Sequence, residues 1–496
     1  MRKLSVNTIT SLLAQIISLV CSLMLPRIIL EAFGSEVNGL TQSIKQFLGI
    51  INFLEMGVGQ VVKSSLYGPL SSNDNTQISR ILSSAREFFR KIAFTLLLYV
   101  IALMLFYPPI VAESFSTYYT ASLIFILAIG SFVQYYFGVT NEILLHADQR
   151  SYLTYGIQIV SNLLNLAICI GMIYMNCSIH AVKLGTAIAF AIKPCVYAIY
   201  MRHHYSIDSK IEYTEEPIKQ KWNGVAQHAS AVVLDGTDNI ILTLFSTLSN
   251  VSVYSVYYMI IANIQNLFQA AITGVHAAAG AIWALQDQNK IEKLFFSVEF
   301  VIHTAITFLF SCTVVLIVPF VSVYTNGLTD VDYIQPLFSV ILVAAYGIRC
   351  LRSPYNIWIM AAGHFKQTQH CHIIAAVLNL TLSIIAVSRW GLVGIAIGTF
   401  IAMCYQTIWM AIYTTRKLIK CTAWHLIKHL LADFVNVVLI CVSVSWITLQ
   451  EVSYIGWIVM AVKVSIIAML CTITTICLFH WKYAAELMRN LRTGKR

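Results

Sequence analysis

Runs of about 20 apolar residues, broken by short polar segments, recur from one end of the 496-residue chain to the other. That is the length an α-helix needs to cross a hydrocarbon core of about 30 Å at 1.5 Å per residue. The pattern predicts fourteen helices, at 5–30, 38–62, 91–112, 116–140, 152–175, 178–200, 223–246, 251–280, 295–321, 335–362, 369–388, 391–413, 428–449 and 454–479. The first run follows Arg2 and Lys3, is about twice the length of a signal-peptide apolar region and lacks a small-residue cleavage site, so it reads as the first of these helices. Residues 76–91, "TQISRILSSAREFFRK", are amphipathic and basic, and predict a helix lying at an anionic inner membrane surface ahead of the third span.

Composition agrees with this pattern. Hydrophobic residues make up 58% of the chain and charged ones only 11%, and the mean hydropathy is +0.74. A water-soluble domain averages roughly 45–50% apolar. The expected class is therefore an all-α, polytopic membrane protein. The net charge of +10 does not signal nucleic acid, because the basic residues alternate between loops. With the N-terminus inside, the inner segments hold 24 of the 32 Lys and Arg residues; the rest are Arg389 in an outer loop and Arg27, Lys45, Lys183, Lys193, Arg349, Arg352 and Lys463 within spans. This bias predicts both termini in the cytoplasm. The twelve cysteines lie mostly within apolar runs, with no CxxC pair, which indicates neither a disulfide framework nor a zinc site.

Aligned against itself, the chain shows a repeat. "RIILEAFGSEVN" from Arg27 matches "NIILTLFSTLSN" from Asn239 at an offset of 212. "LLNLAI" from Leu163 matches "VLNLTL" from Val377, each followed by Gly-Thr, at Gly185-Thr186 and Gly398-Thr399. Six helices separate the copies, so the halves share one orientation, with a pseudo-twofold along the membrane normal. The expected organisation is an N-lobe at 1–200, a polar cytoplasmic linker at 201–222, a C-lobe at 223–413, accessory helices at 428–479 and a basic tail at 480–496. Substrate is expected between the lobes, where polar groups can face a hydrated cavity.

An ionisable residue at mid-membrane costs roughly 2.5–3.5 kcal/mol on insertion scales, so each one needs a reason. Arg349 and Arg352 are three apart, on one helical face near the middle of their span. They either bind an anion, since guanidinium groups grip phosphate bidentately, or are neutralised by Asp235 and Asp238. Lys45 and Lys193 either line the cavity or snorkel to an interface, as does Arg27 beside Pro26. Pro26-Arg27 aligns with Asp238-Asn239, which suggests a polar break repeated in the first helix of each lobe and a gate formed by Arg27 and Asp238. Glu55, beside Gly57 and Gly59, is an interfacial acid or a gate residue. Tyr346 and Tyr355 flank the arginines and suit sugars. The outer loops are too short for an extracytoplasmic catalytic domain, and "DVD" at 330–332 is three residues in such a loop, so an enzyme is not expected.

Three stretches carry a family resemblance: "FGSEVNGL…FLEMGVGQVVKSSLYGPL", "TDNIIL…VSVYSVYYMI" and "AAGHFKQTQHCHIIAAVLNLTLSIIAVSRWGLVGIAIGT". With them the chain resembles the Wzx-type flippases for polysaccharide and O-antigen repeat units, in the multidrug/oligosaccharidyl-lipid/polysaccharide (MOP) exporter superfamily. The resemblance implies transport of lipid-linked oligosaccharides on undecaprenyl pyrophosphate to the outer leaflet by alternating access, for surface polysaccharide or capsule. It implies the lipid bilayer and a polysaccharide polymerase as partners, and no cofactor beyond coupling to Na+ or H+. The related lipid II flippases place a sodium site where Asp238, Asn379 and Thr399 stand here, with Ser383 at the position of a second carboxylate. The sibling drug exporters use acidic pockets for cations. A cation-coupled drug or metabolite antiporter, binding its cation at Asp235 and Asp238, is therefore the alternative.

Overall fold

A computed structural model of the chain describes residues 2–208, 211, 216–218, 236–421 and 423–479. Among them there is no strand. The helices are α1 (Arg2–Gly49), α2 (Asn52–Ser71), α3 (Asn75–Phe106), α4 (Thr117–Val133), α5 (Val139–Ala147), α6 (Ser151–Tyr174) and α7 (Ile179–His204). Then come α8 (236–245) and α9 (Leu248–Ala284), α10 (Gln288–Tyr324), α11 (Pro336–Leu351), α12 (Ser353–Ala361), α13 (Phe365–Tyr413), α14 (Ala423–Val444) and α15 (Tyr454–Phe479). Among the described residues ten helical segments are long and apolar enough to cross a membrane. The protein is an all-α, multi-pass membrane protein. Its lipid-facing surfaces follow from the 3.6-residue period: Ile9, Leu12, Leu13, Ile16, Val20 and Met24 form an exposed apolar stripe on α1.

Two long helices each hold two spans. Both are broken at a glycine in a conformation that a side chain disfavours: Gly34 in α1 (φ 80°, ψ 174°) and Gly391 in α13 (φ 51°, ψ −125°). The expected break at Pro26-Arg27 is therefore misplaced. Pro26 sits inside continuous helix, and the chain turns at Gly34. At the repeat offset of 212, Gly34 aligns with Ser246, the gap between α8 and α9. The repeat thus breaks at the same step in both copies. The Gly-Thr pairs also correspond: a Cβ at Gly185 would lie 2.7 Å from Ile168 Cγ2, and one at Gly398 2.3 Å from Ser383 Oγ. Each marks a close helix crossing.

The expected surface helix at 76–91 is corrected. Nothing between Asn75 and Phe106 breaks the helix, so α3 runs through both segments. The face of its first turns that was expected on the membrane surface, including Ile78, Ile81, Leu82 and Phe89, is buried in protein. The linker packs there too, with Asp208 N donating to Ser79 Oγ (3.1 Å) and Ile218 in the same core.

By packing the chain divides into two compact units, Met1–Ser255 and Val256–Arg496. In the first, α8 and the start of α9 are tied to α1 by Ser43–Thr243 (2.6 Å) and Asn38 Nδ2 to Ser252 Oγ (2.8 Å), and Tyr107 donates to Ser43 Oγ (2.7 Å). Buried hydroxyls and amides thus satisfy one another where water is absent. In the second, α14 and α15 pack on α10 around Cys312, Ile440, Val444, Val464 and Ala468. Gly398→Ala would drive a Cβ to 2.8 Å from the Ser383 amide N as well as onto its hydroxyl. It is expected to cost roughly 1–3 kcal/mol, read as a lowered midpoint of thermal unfolding in detergent. Gly171→Ala, which meets nothing within 4 Å, is expected to leave that midpoint unchanged or higher.

Candidate functional site

The first unit contains a cavity of about 520 Å3 that brings Lys45, Lys183 and Lys193 together. Lys45 comes from α1 beyond its kink, and the other two from α7. Ten residues separate Lys183 from Lys193, about 15 Å along a helix, so α7 lays one cation at each end of the cavity. Its opposite wall is α4, where Gly130 and Ser131 leave space. The π-helical turn Gln134–Gly138 then joins α4 to α5. Such a turn adds one residue to the helical circuit and rotates the next residues out of phase, so that Gln134 lines this cavity while Tyr136 and Phe137 face another. Gly138 admits the ring of Pro194, since a Cβ there would be 3.1 Å from Pro194 Cγ.

Lys183 is buried, at 5% exposure. No carboxylate lines the cavity, and among the described residues none lies within ion-pair distance of the three ammonium groups. Lys193 Nζ stands 4.9 Å from the Phe190 ring centroid, a cation–π contact that partly offsets its desolvation. Glu142, which is not among the lining residues, accepts from the lining Gln134 Nε2 (2.9 Å) and interacts electrostatically with Lys193. Three like charges around one cavity repel until an anion sits among them. A second cavity of about 560 Å3 lies beyond the π-turn and carries Arg86, Arg90 and Arg202, with Arg90 4.9 Å from the Tyr136 ring centroid.

The structure places Lys45 and Lys193, expected as cavity cations, on one cavity lined by residues of the first unit. Lys183, which the sequence places within a span but does not single out as a cavity cation, is the most buried of the set. Arg349 and Arg352 fall midway along the Pro336–Ala361 span, where α11 gives way to α12. The helical hydrogen bond from Arg352 N to Ile348 O (3.2 Å) keeps them in phase. Arg27 lies 3.8 Å from Glu31 on the next turn. Asp238 is buried and accepts from the Tyr254 hydroxyl at 2.6 Å. Asp235 and the Glu55 side chain lie outside the described residues. In the second unit Asn379 Nδ2 donates to Thr399 Oγ1 (3.0 Å), both fully buried, with Ser383 buried one turn away.

Tyr355 is corrected: its hydroxyl donates to Glu299 Oε1 (2.8 Å) inside the protein, so it is not a sugar platform. Tyr346 is likewise buried, its ring 5.5 Å from that of Tyr258. Sequence reasoning missed the group around Tyr355, namely Glu299, His303, His429 and Asp433. Its signal was two ionisable pairs spaced i, i+4 in apolar runs.

No family model and no curated protein sequence matches the chain. Solved structures do. The lipid II flippase MurJ in an inward-closed conformation aligns with a TM-score of 0.67 at 14% identity, over 93% of this chain and 97% of that one. An inward-facing multidrug resistance MATE family transporter of the MOP superfamily gives 0.63 at 15% identity, over 80% and 95%. A Vibrio cholerae MATE transporter gives 0.56 at 13%, over 84% and 98%. The chain therefore has the fold of these transporters, and the solved structures it resembles are transporters.

Lys183→Met removes a buried cation while keeping its apolar stem. It is expected to raise the midpoint of thermal unfolding, because desolvated charge is relieved. Affinity for a phosphate-type anion is expected to fall at least tenfold, since a charge-assisted hydrogen bond is worth roughly 1.5–3 kcal/mol. Thermal scans and a pyrophosphate binding titration on the same variant check both directions.

Proposed function

We propose that this protein is a flippase that carries an undecaprenyl-pyrophosphate-linked oligosaccharide repeat unit from the inner to the outer leaflet of the bacterial cytoplasmic membrane, with both termini cytoplasmic. The observation that carries this reading is the carboxylate-free cavity with Lys45, Lys183 and Lys193 on its walls. A pyrophosphate cannot enter hydrocarbon alone, because burying an isolated charge costs tens of kcal/mol in the Born limit. Ammonium groups in an open cavity replace its hydration. The sugars remain in the hydrated part, and the prenyl tail stays in lipid. The three cations also disfavour a cationic drug at this site, which weighs against the antiporter reading.

An inside-negative potential favours outward movement of an anionic headgroup by about 2.3 kcal/mol per charge per 100 mV. Outward transport then runs downhill electrically, and the return of the empty, positively charged site is the step that needs help. In this reading Arg349 and Arg352, at the α11–α12 junction, form a second anion-binding station.

In a strain lacking the gene, lipid-linked repeat units are expected to accumulate on the inner leaflet. Complementation by the wild type should restore surface glycan. The triple variant Lys45→Gln, Lys183→Gln, Lys193→Gln should insert normally and restore less than a tenth of it. The double variant Arg349→Ala, Arg352→Ala tests the second station in the same assay, and full export by it removes the arginines from the mechanism. Drug sensitivity of the deletion strain with normal surface polysaccharide would replace the flippase reading by the antiporter.

A further inference from the structure

The second unit encloses a set of ionisable groups that the proposed headgroup path does not use. On α10, Glu299 and His303 are one turn apart and fully or almost fully buried, at 0% and 2% exposure. From α12, the Tyr355 hydroxyl donates to Glu299 Oε1 (2.8 Å) and lies 3.3 Å from His303 Nε2. From α14, Asp433 Oδ2 is 2.6 Å from His303 Nδ1, and His429 Nε2 is 3.9 Å from Glu299 Oε2. Cys421, ahead of α14, is a further titratable group near Glu299 and Tyr355, and Glu292 acts on Cys421 in turn. Among the described residues the other elements packed here present uncharged groups: α15 presents Thr472 and Thr475, Thr414 gives its hydroxyl to the Tyr355 carbonyl (3.3 Å), and α11 meets α10 through Gly347 on the Phe310 ring.

Two carboxylates and two neutral imidazoles would place two negative charges in a site walled by Phe295 and Trp358, where charge is poorly solvated. Two protons neutralise it. The geometry holds them unequally. The 2.6 Å bond from His303 Nδ1 to Asp433 is a short, charge-assisted contact, and because the Tyr355 hydroxyl gives its hydrogen to Glu299, its oxygen is left to accept from His303 Nε2 (3.3 Å), so both ring nitrogens carry hydrogen and one proton rests on the imidazole. The 3.9 Å separation of Glu299 and His429 exceeds hydrogen-bond length, so the second proton is shared over a looser pair. Beside the pair a narrow recess lined by His303, His429, Asp433 and Asn436 has room for about one water, a route by which a proton can reach solution.

We propose that Glu299, His303, His429 and Asp433 form a proton-binding site at the junction of α10, α12 and α14, which exchanges one proton with solution through the Glu299–His429 pair. The proton adds to a Glu299 carboxylate oxygen when the site is closed and dry, and leaves to water when the helices around it part. Used as a coupling ion, it would reset the empty carrier, a role that rests on the transport function proposed above; the binding site itself does not.

The test takes the full-length protein in lipid, with no substrate added, and records infrared difference spectra stepped from about pH 5 to about pH 8, the range in which an imidazole ordinarily titrates. The wild type should show a protonated carboxylic C=O band that disappears as pH rises, together with an imidazole change. Glu299→Gln should lose that band. Tyr355→Phe keeps the acid but removes a hydrogen bond that favours its ionised form, so the midpoint of the band should rise by about one pH unit, a tenfold change in proton affinity. An unchanged band in Glu299→Gln would overturn the proposal. If that variant does not insert, Tyr355→Phe decides alone, and a midpoint equal to the wild type's overturns it.

Discussion

Hydrocarbon does not tolerate uncompensated charge, and the arrangement of this chain follows from how each charge inside it is compensated. The cores are apolar, and the polar atoms they bury are mostly tied to one another, as in Tyr107–Ser43–Thr243 and Asn379–Thr399. Two acids and two imidazoles meet in a cluster on α10 and α14, closed by the Tyr355 hydroxyl from α12. Against that background, three lysines on one open cavity without a carboxylate stand apart. The desolvation of the buried Lys183 and the repulsion among the three are a standing cost to the fold, which an anion bound among them, as proposed above, would recover.

The same cavity depends on departures from regular helix. The second part of α1, beyond the Gly34 kink, carries Lys45 onto the first unit's lysine cavity. The π-turn Gln134–Gly138, seated on Pro194 of α7, divides one lining from the next: the lysine cavity lies on one side and the Arg86, Arg90 and Arg202 cavity on the other. Glycine kinks, prolines and π-turns are where long helices bend. Under the function proposed above these are also the places where a bend would change, so local geometry, binding and motion would share residues.

The helices were legible in the sequence because membrane helices are read by length and hydropathy alone, and most ends fall within a few residues of expectation. Their interruptions were not. Pro26 drew attention as a breaker, but a proline can sit in continuous helix when its neighbours absorb the lost hydrogen bond, whereas Gly34 has a backbone that no composition measure reveals. The repeat was legible and sharper in three dimensions, with Gly34 and Ser246 breaking in register. Lys45 and Lys193 stand out in the sequence because a cation in a span is costly; Lys183 is a cation in a span as well, and only packing shows that it joins them on one cavity. Glu299 with His303, and His429 with Asp433, were missed because each pair is modest alone. They gain meaning once three helices bring them close together.

The central claim is that the lysine cavity binds an anion, and ligand stabilisation tests it directly, because a ligand that binds only the folded protein raises stability by RT ln(1 + [L]/Kd). Thermal unfolding of the purified protein should be measured with inorganic pyrophosphate and, separately, with a lipophilic monovalent cation. Pyrophosphate is predicted to raise the midpoint in the wild type and not in the Lys45→Gln, Lys183→Gln, Lys193→Gln variant, with no response to the cation in either. Stabilisation by the cation, with none by pyrophosphate, would contradict the account.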